Sequence, residues 1–148
     1  VNWYFQAIDS QLGINRVQEF LNKIEYGNQT TSSNLDLYWS DFSLKISPLE
    51  QVTLLKKFNT NEFHLNFQNV FSVKNAIKIA STPNGNFYGK TGTGRVNGQD
   101  INGWFIGYVE TSDNSYYFAT NIQSDSNATG KKAFEITSDI LKKLHIWN

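Results

Sequence analysis

The spacing of apolar residues changes about halfway along the chain. In the first half they recur every three or four positions. Residues 3–8 form an apolar helical stretch, and over residues 16–24 Val17, Phe20, Leu21 and Ile24 fall on one helical face, with Asn15 as the N-cap. Tyr26-Gly27-Asn28 breaks that pattern, and residues 29–34 read as a polar loop. Ser47-Pro48-Leu49-Glu50 reads as a helix start. Ser47 caps, Pro48 suits the first helical position, and Glu50 completes a capping box. Val52, Leu54, Leu55 and Phe58 supply the apolar stripe that follows. A further helix is expected over residues 70–80, with Lys74 and Lys78 four apart on a solvated face.

Beyond residue 85 the pattern changes to that of strands. Residues 86–95, 102–110 and 116–122 read as three β-strands, joined by turns at Asn97-Gly98 and Asp113-Asn114. That spacing predicts an antiparallel meander. A closing helix is expected over residues 131–144, turning Phe134, Ile136, Ile140, Leu141 and Leu144 inward. Helices, then an antiparallel sheet, then a helix packed on it make an α+β arrangement.

Composition narrows the chemistry. The 148 residues suffice for one domain, and thirteen basic side chains balance thirteen acidic ones. No long-range field favours nucleic acid or an anionic membrane. The absence of cysteine removes disulfides, thiolate catalysis and thiolate metal sites. No run of eighteen apolar residues is present, so no segment of this sequence is expected to insert into a membrane. His64 and His145 stand apart in sequence and read as surface side chains, and no His/Asp/Glu cluster has metal-ligand spacing. No metal and no cofactor is implied.

Lys90-Thr91-Gly92-Thr93-Gly94 is the most informative stretch. Gly85 to Thr91 comes close to a phosphate loop, but only three residues separate Gly85 from Gly89 where four are required. The segment also leads into another strand, not into a helix. The alternative is the K-T-G element of penicillin-binding proteins and serine β-lactamases. A lysine and hydroxyls beside a cleft hold a carboxylate by charge-assisted hydrogen bonds. A glycine lets a bound acyl group approach the strand, and a backbone N–H on the same strand helps bind an oxyanion. Taken alone, three residues are also compatible with an exposed strand carrying a solvated lysine.

The motif has company. Gly103-Trp104-Phe105-Ile106-Gly107-Tyr108 follows at hairpin distance, Tyr26-Gly27-Asn28 lies upstream, and Trp39, Leu44, Ile46, Ser47, Pro48, Glu50 and Gln51 lie between. In order and spacing this set resembles the class D β-lactamases and the related antibiotic-sensor domains of β-lactam signal transducers, over nearly the whole chain. The resemblance implies a penicillin-recognising fold in which a Ser-x-x-Lys helix carries the nucleophile and a Ser-x-Val or Ser-x-Asn motif faces it. Residues 1–6 look like the end of that second motif and the helix after it. No serviceable Ser-x-x-Lys occurs in these residues. Residues 1–148 are therefore expected to be the C-terminal portion of one sensor domain, completed by an N-terminal portion that bears the serine.

By the same resemblance, Lys90 and Asn2 are the candidate catalytic residues, and Lys90, Thr91, Gly92, Thr93 and Trp39 the candidate ligand contacts. Thr91 and Thr93 are implied to bind the antibiotic's carboxylate or side-chain amide. The Thr93 N–H would form half of an oxyanion hole, and Trp39 would pack over a modified catalytic lysine. Tyr26 and Asn28 read as support for the cleft, Trp104 and Tyr108 as sheet core. Two departures favour a receptor over a hydrolase. Asn2 stands where class D enzymes carry valine, and its amide is able to bond the catalytic lysine that would otherwise activate water. Ala133 aligns with a carboxylate-binding arginine, with Lys131 and Lys132 nearby. The implied function is that of a β-lactam receptor, acylated on a serine outside these residues and belonging to an extracellular domain at the cell membrane. The alternatives are a class D β-lactamase and a D,D-transpeptidase.

Overall fold

The computed structural model describes residues 2–31, 38, 39 and 42–147. The chain divides into two compact units, Val1–Glu50 and Gln51–Asn148.

In the first unit, α1 (Asn2–Leu12) and α2 (Ile14–Lys23) are separated by Gly13, whose φ of 77° lies in the left-handed region glycine tolerates. Gly13, not Asn15, is the N-cap of α2, and it makes no side-chain cap bond. Asn15 sits within the first turn. Val17, Leu21 and Ile24 are buried as the spacing predicts, whereas Phe20 is exposed. Val17, Leu21 and Tyr38 form a small core, against which Tyr26, Trp39 and Leu44 pack. No described residue of α1 is buried, and Trp3 is 71% exposed. Residues 32–34 of the expected polar loop lie outside the described residues.

The predicted capping box is present. Ser47 N–H donates to Glu50 Oε2 at 2.8 Å, and Glu50 N–H donates to Ser47 Oγ at 3.3 Å, opening α3 (Pro48–Asn59). Hydrogen bonds to the carboxyl from the Ser47 side chain and then from the Ser47 N–H hold Glu50 below its usual value. Gln51 and Leu55 are the buried positions of α3, while Val52, Leu54 and Phe58 are half-buried.

The second unit is built on a four-stranded antiparallel sheet in sequence order: β1 (Lys78–Thr82), β2 (Gly85–Val96), β3 (Gln99–Thr111) and β4 (Ser115–Gln123). The turn at Asn97-Gly98 has φ of 49° and 79°, the pair of positive values a tight hairpin requires. The helix expected over residues 70–80 divides differently. Helix α4 (Phe67–Ala76) starts three residues earlier, where Asn66 Oδ1 accepts from Gln68 N–H at 2.9 Å. It stops at Ala76, and residues 78–80 belong to β1. The Ile77 carbonyl accepts from Gly89 N–H at 2.8 Å and draws the chain into the sheet. The two lysines therefore do not share a solvated face. Lys74 is half-buried 3.8 Å from Glu110, and Lys78 Nζ lies 5.6 Å from the centre of the Tyr88 ring.

Helix α5 (Gly130–Lys143) covers one face of the sheet. Phe87, Phe105, Val109, Ala133 and Leu141 form the core there, with Phe118, Ile122, Phe134, Ile146 and Trp147 packed around them. Phe105, 1% exposed, meets the ring of Phe134 edge-on at 5.0 Å, and its burial contributes about 1.5–3 kcal/mol. Of the expected inward face of α5, Phe134 and Leu141 pack on the core and the other three positions do not. Gly130, Ala133, Thr137 and Leu141 point inward, while Ile136, Ile140 and Leu144 are exposed, Leu144 at 61%. Small residues win the contact because the helix lies close to the strands. On the opposite face Tyr88, Tyr108 and Tyr117 stand in register across β2, β3 and β4, their ring centres 4.7 and 5.7 Å apart.

Candidate functional site

The motif residues Lys90, Thr91, Gly92 and Thr93 lie in the middle of β2 and pair with Ile106, Phe105, Trp104 and Gly103 of β3. On the other side β1 pairs only with the Gly85–Tyr88 part of β2. Among the described residues, β2 from Lys90 onward pairs with β3 alone and leaves its other edge open.

Alternation along the strand identifies which groups face that edge. Gly89 N–H points away from β3, since it donates to the Ile77 carbonyl. Successive residues turn their backbone groups to opposite sides, so the N–H and C=O of Thr91 and Thr93 also face outward. The register shift comes later, between Gly94 and Arg95. Lys90 Nζ donates to the outward Thr91 carbonyl at 2.6 Å. An ammonium group and two outward N–H donors thus sit together on an exposed edge. Such a set is suited to a carboxylate and to the developing charge of an attacked carbonyl.

Side chains alternate across the sheet as well. Those of Thr91 and Thr93 face α5, and that of Lys90 faces the side that carries Tyr88. Thr93 Oγ1 accepts a hydrogen bond from Gly130 N–H at 2.9 Å. The Thr93 hydroxyl oxygen thus accepts from the start of α5 while its O–H stays available as a donor, and the Thr93 backbone N–H faces the edge.

Asn2 and Trp39 lie in the first unit. Asn2 opens α1 and is exposed, while Trp39 is half-buried against the Val17–Leu21–Tyr38 core. Tyr26-Gly27-Asn28 is a clasp. Gly27 has φ 47°, and a Cβ there would run into the Lys45 carbonyl. Asn28 Nδ2 donates to the Ser43 carbonyl at 2.8 Å. It ties residues 27–28 to residues 43–45.

Ala133 has no exposure and faces the core beneath Phe87, Phe105 and Val109. It is a packing position of α5. Lys131 pairs with Glu135 on the exposed side of α5 at 3.9 Å. The α5 residue that lies against the motif is Gly130, which the sequence reading passed over. Its signal was the Ala128-Thr129-Gly130 run before a helical stretch, in which Thr129 Oγ1 caps by accepting from Lys132 N–H at 3.1 Å.

Two cavities, of about 590 and 480 Å³, lie at the far end of the sheet near the β3–β4 turn. They are lined by residues such as Ser112, Ser115 and Thr111 and by none of residues 90–93. His64 and His145 are exposed, and no group of three or more metal-ligating side chains occurs among the described residues. No described helix is long and apolar enough to cross a membrane.

Residues 1–142 match the family model of the penicillin binding protein transpeptidase domain. The chain is 43% identical over 146 residues to the methicillin resistance mecR1 protein of Staphylococcus aureus, covering 99% of this chain and 25% of that protein. It superposes on the C-terminal domain of the BlaR penicillin-receptor of Bacillus licheniformis with a TM-score of 0.94 at 46% identity, covering 99% of this chain and 59% of that one. Against a class D β-lactamase from Bacillus subtilis the TM-score is 0.90 at 37% identity, covering 99% and 60%. The chain spans a quarter of the curated relative and about three fifths of each solved domain.

Proposed function

The chain belongs to the penicillin-binding transpeptidase family, and on that premise we propose that it is the antibiotic-gripping portion of a β-lactam sensor domain. The observation that carries this reading is the open edge of β2, where Lys90 Nζ sits on the Thr91 carbonyl and the Thr91 and Thr93 N–H groups face outward. In the complete domain a serine outside these residues attacks the lactam carbonyl. The carbonyl–nitrogen bond of the ring breaks, an ester forms on the serine, and the serine's proton ends on the ring nitrogen. Lys90 holds the antibiotic's carboxylate, and Thr93 N–H stabilises the oxyanion. Trp39 shapes the pocket wall over the catalytic lysine.

The ester is the signal, and it persists because Asn2 engages the lysine that would otherwise activate water. The rest of the domain supplies the nucleophile and its lysine, and the whole is displayed outside the cell from a membrane-anchored protein. The similarity to a named penicillin-receptor and to a methicillin resistance protein supports this reading.

A second reading, a class D β-lactamase, is favoured by the likeness to the Bacillus subtilis enzyme and uses the same Lys90 edge. Incubating the complete domain with labelled penicillin and with nitrocefin separates the two. The sensor reading expects one stable label per domain and very slow nitrocefin turnover. Fast multiple turnover supports the enzyme, and no labelling defeats both. Residues 1–148 by themselves are expected to take no label.

A further inference from the structure

We propose that the first turn of α5 sets the position of the antibiotic-gripping edge, with Thr93 and Gly130 acting as positioning residues for acylation. The inference rests on the reading of the Lys90–Thr93 edge given above and adds a mechanism for holding it in place.

A strand in the middle of a sheet has its N–H directions fixed by ladders on both sides. Among the described residues, β2 from Lys90 onward has a ladder on one side only. Its outward N–H groups need another constraint if they are to meet a reacting carbonyl at hydrogen-bond distance. Helix α5 supplies one. Gly130 N–H donates to Thr93 Oγ1 at 2.9 Å across 37 residues of sequence. Thr93 therefore works in two directions, its side chain tied to the helix and its N–H offered at the edge.

The fit is close. A Cβ on Gly130 would come within 2.6 Å of the Gly92 carbonyl oxygen and 2.9 Å of Thr91 Cβ, so only glycine lets the helix start lie against the motif. Gly103, the register partner of Thr93, is covered in the same way. A Cβ on it would meet the Thr129 and Ala128 carbonyls. The segment 128–130 thus presses on both members of the Thr93–Gly103 pair. Thr129 holds this segment as the N-cap, accepting from Lys132 N–H through its side chain and from Ala133 N–H through its carbonyl.

This assigns a role to the Thr93 hydroxyl that is distinct from touching the ligand. Its loss lets the edge drift and leaves Gly130 N–H without its partner. A misplacement of the order of 1 Å is enough to cost about a hundredfold in rate.

The test uses the complete domain, a fluorescent penicillin and stopped-flow mixing to separate the acylation rate constant k2 from the pre-covalent constant Ks. Thr93→Val keeps the shape and removes the hydroxyl. We expect k2 to fall roughly ten- to a hundredfold, Ks to stay close to wild type, and Thr93→Ser to restore k2. Gly130→Ala keeps the N–H but forces helix and strand apart, and is expected to lower k2 in the same way. Melting temperatures are measured alongside, so that loss through unfolding is recognised. The proposal is overturned if folded Thr93→Val and Gly130→Ala acylate at the wild-type k2, or if Thr93→Ser is as slow as Thr93→Val. A wild-type domain that takes no label overturns the underlying reading of the edge itself.

Discussion

Asn28 holds Lys45 by a reciprocal pair of hydrogen bonds. Asn28 N–H donates to the Lys45 carbonyl at 2.9 Å, and Lys45 N–H donates to Asn28 Oδ1 at 2.9 Å. The side chain thus acts as a third strand of backbone would, and Gly27 beside it lacks the Cβ that would collide with the same carbonyl. Asn28→Ala is expected to destabilise the domain by about 0.5–1.5 kcal/mol, because it removes the exposed hydrogen bond to Lys45 N–H. Gly27→Ala adds a collision and a left-handed φ, and should cost more than Asn28→Ala. Denaturant midpoints of the complete domain check both, and midpoints equal to wild type contradict the clasp.

Ala133 and Lys131 should respond in opposite ways to substitution. Ala133→Val adds carbon to a filled contact between α5 and the sheet, at a cost of about 1–3 kcal/mol. Ala133→Arg places an unpaired charge in that core and is expected to abolish the cooperative melting transition, with no gain in penicillin binding. Lys131→Ala removes an exposed pair and should shift stability by under about 0.5 kcal/mol. Tolerance of arginine at 133 with an unchanged melting transition would contradict this packing.

Alkaline pH should loosen the fold. Tyr38 is pushed up to about 12, first by burial and then by the charge and hydrogen bond of Asp9. Burial likewise raises Tyr26, Tyr88 and Tyr108, and Glu110 adds to the last two. The folded state therefore keeps protons that the unfolded chain releases above pH 10.0, the ordinary phenol value. Stability is unaffected below that pH by these groups and declines as pH rises from 10 toward 12. Denaturant midpoints between pH 8 and 12 measure it, and Tyr38→Phe should make the decline shallower. A midpoint that is flat across that range contradicts the assignment.

How far the sequence could be read depends on what kind of interaction fixes each element. The capping box at Ser47 and Glu50, the hairpin at Asn97-Gly98 and the Lys90 strand are local signals, and all were readable. The end of α4 was not, because residues 77–80 continue an apolar pattern and only the distant Gly89 turns them into a strand. The inward face of α5 was misread for a related reason. Large apolar side chains suggested Ile136 and Ile140, but close approach to the sheet selected Gly130, Ala133 and Thr137. In the site, Lys90 to Thr93 could be found by motif. For Gly130 the sequence offered only the helix start at Ala128-Thr129-Gly130, since its closeness to Thr91 and Gly92 comes from the fold.

Lys90→Ala should slow acylation of the complete domain by roughly ten- to a hundredfold, the usual value of a hydrogen bond to a charged group. Its side chain is exposed and bonds only to the neighbouring Thr91 carbonyl among the bonds described, so the melting temperature should hardly move. The same measurement with a penicillin whose carboxylate is esterified should erase the difference between wild type and variant. A variant that acylates like wild type removes Lys90 from the grip.

The most direct test of the central claim is a crystal structure of the complete domain after reaction with penicillin, read at the edge of β2. The account predicts the acyl carbonyl oxygen about 2.7–3.1 Å from Thr93 N, with the carboxylate beside Lys90 and Thr91. An acyl group that lies away from residues 90–93, or that meets them only through water, contradicts it.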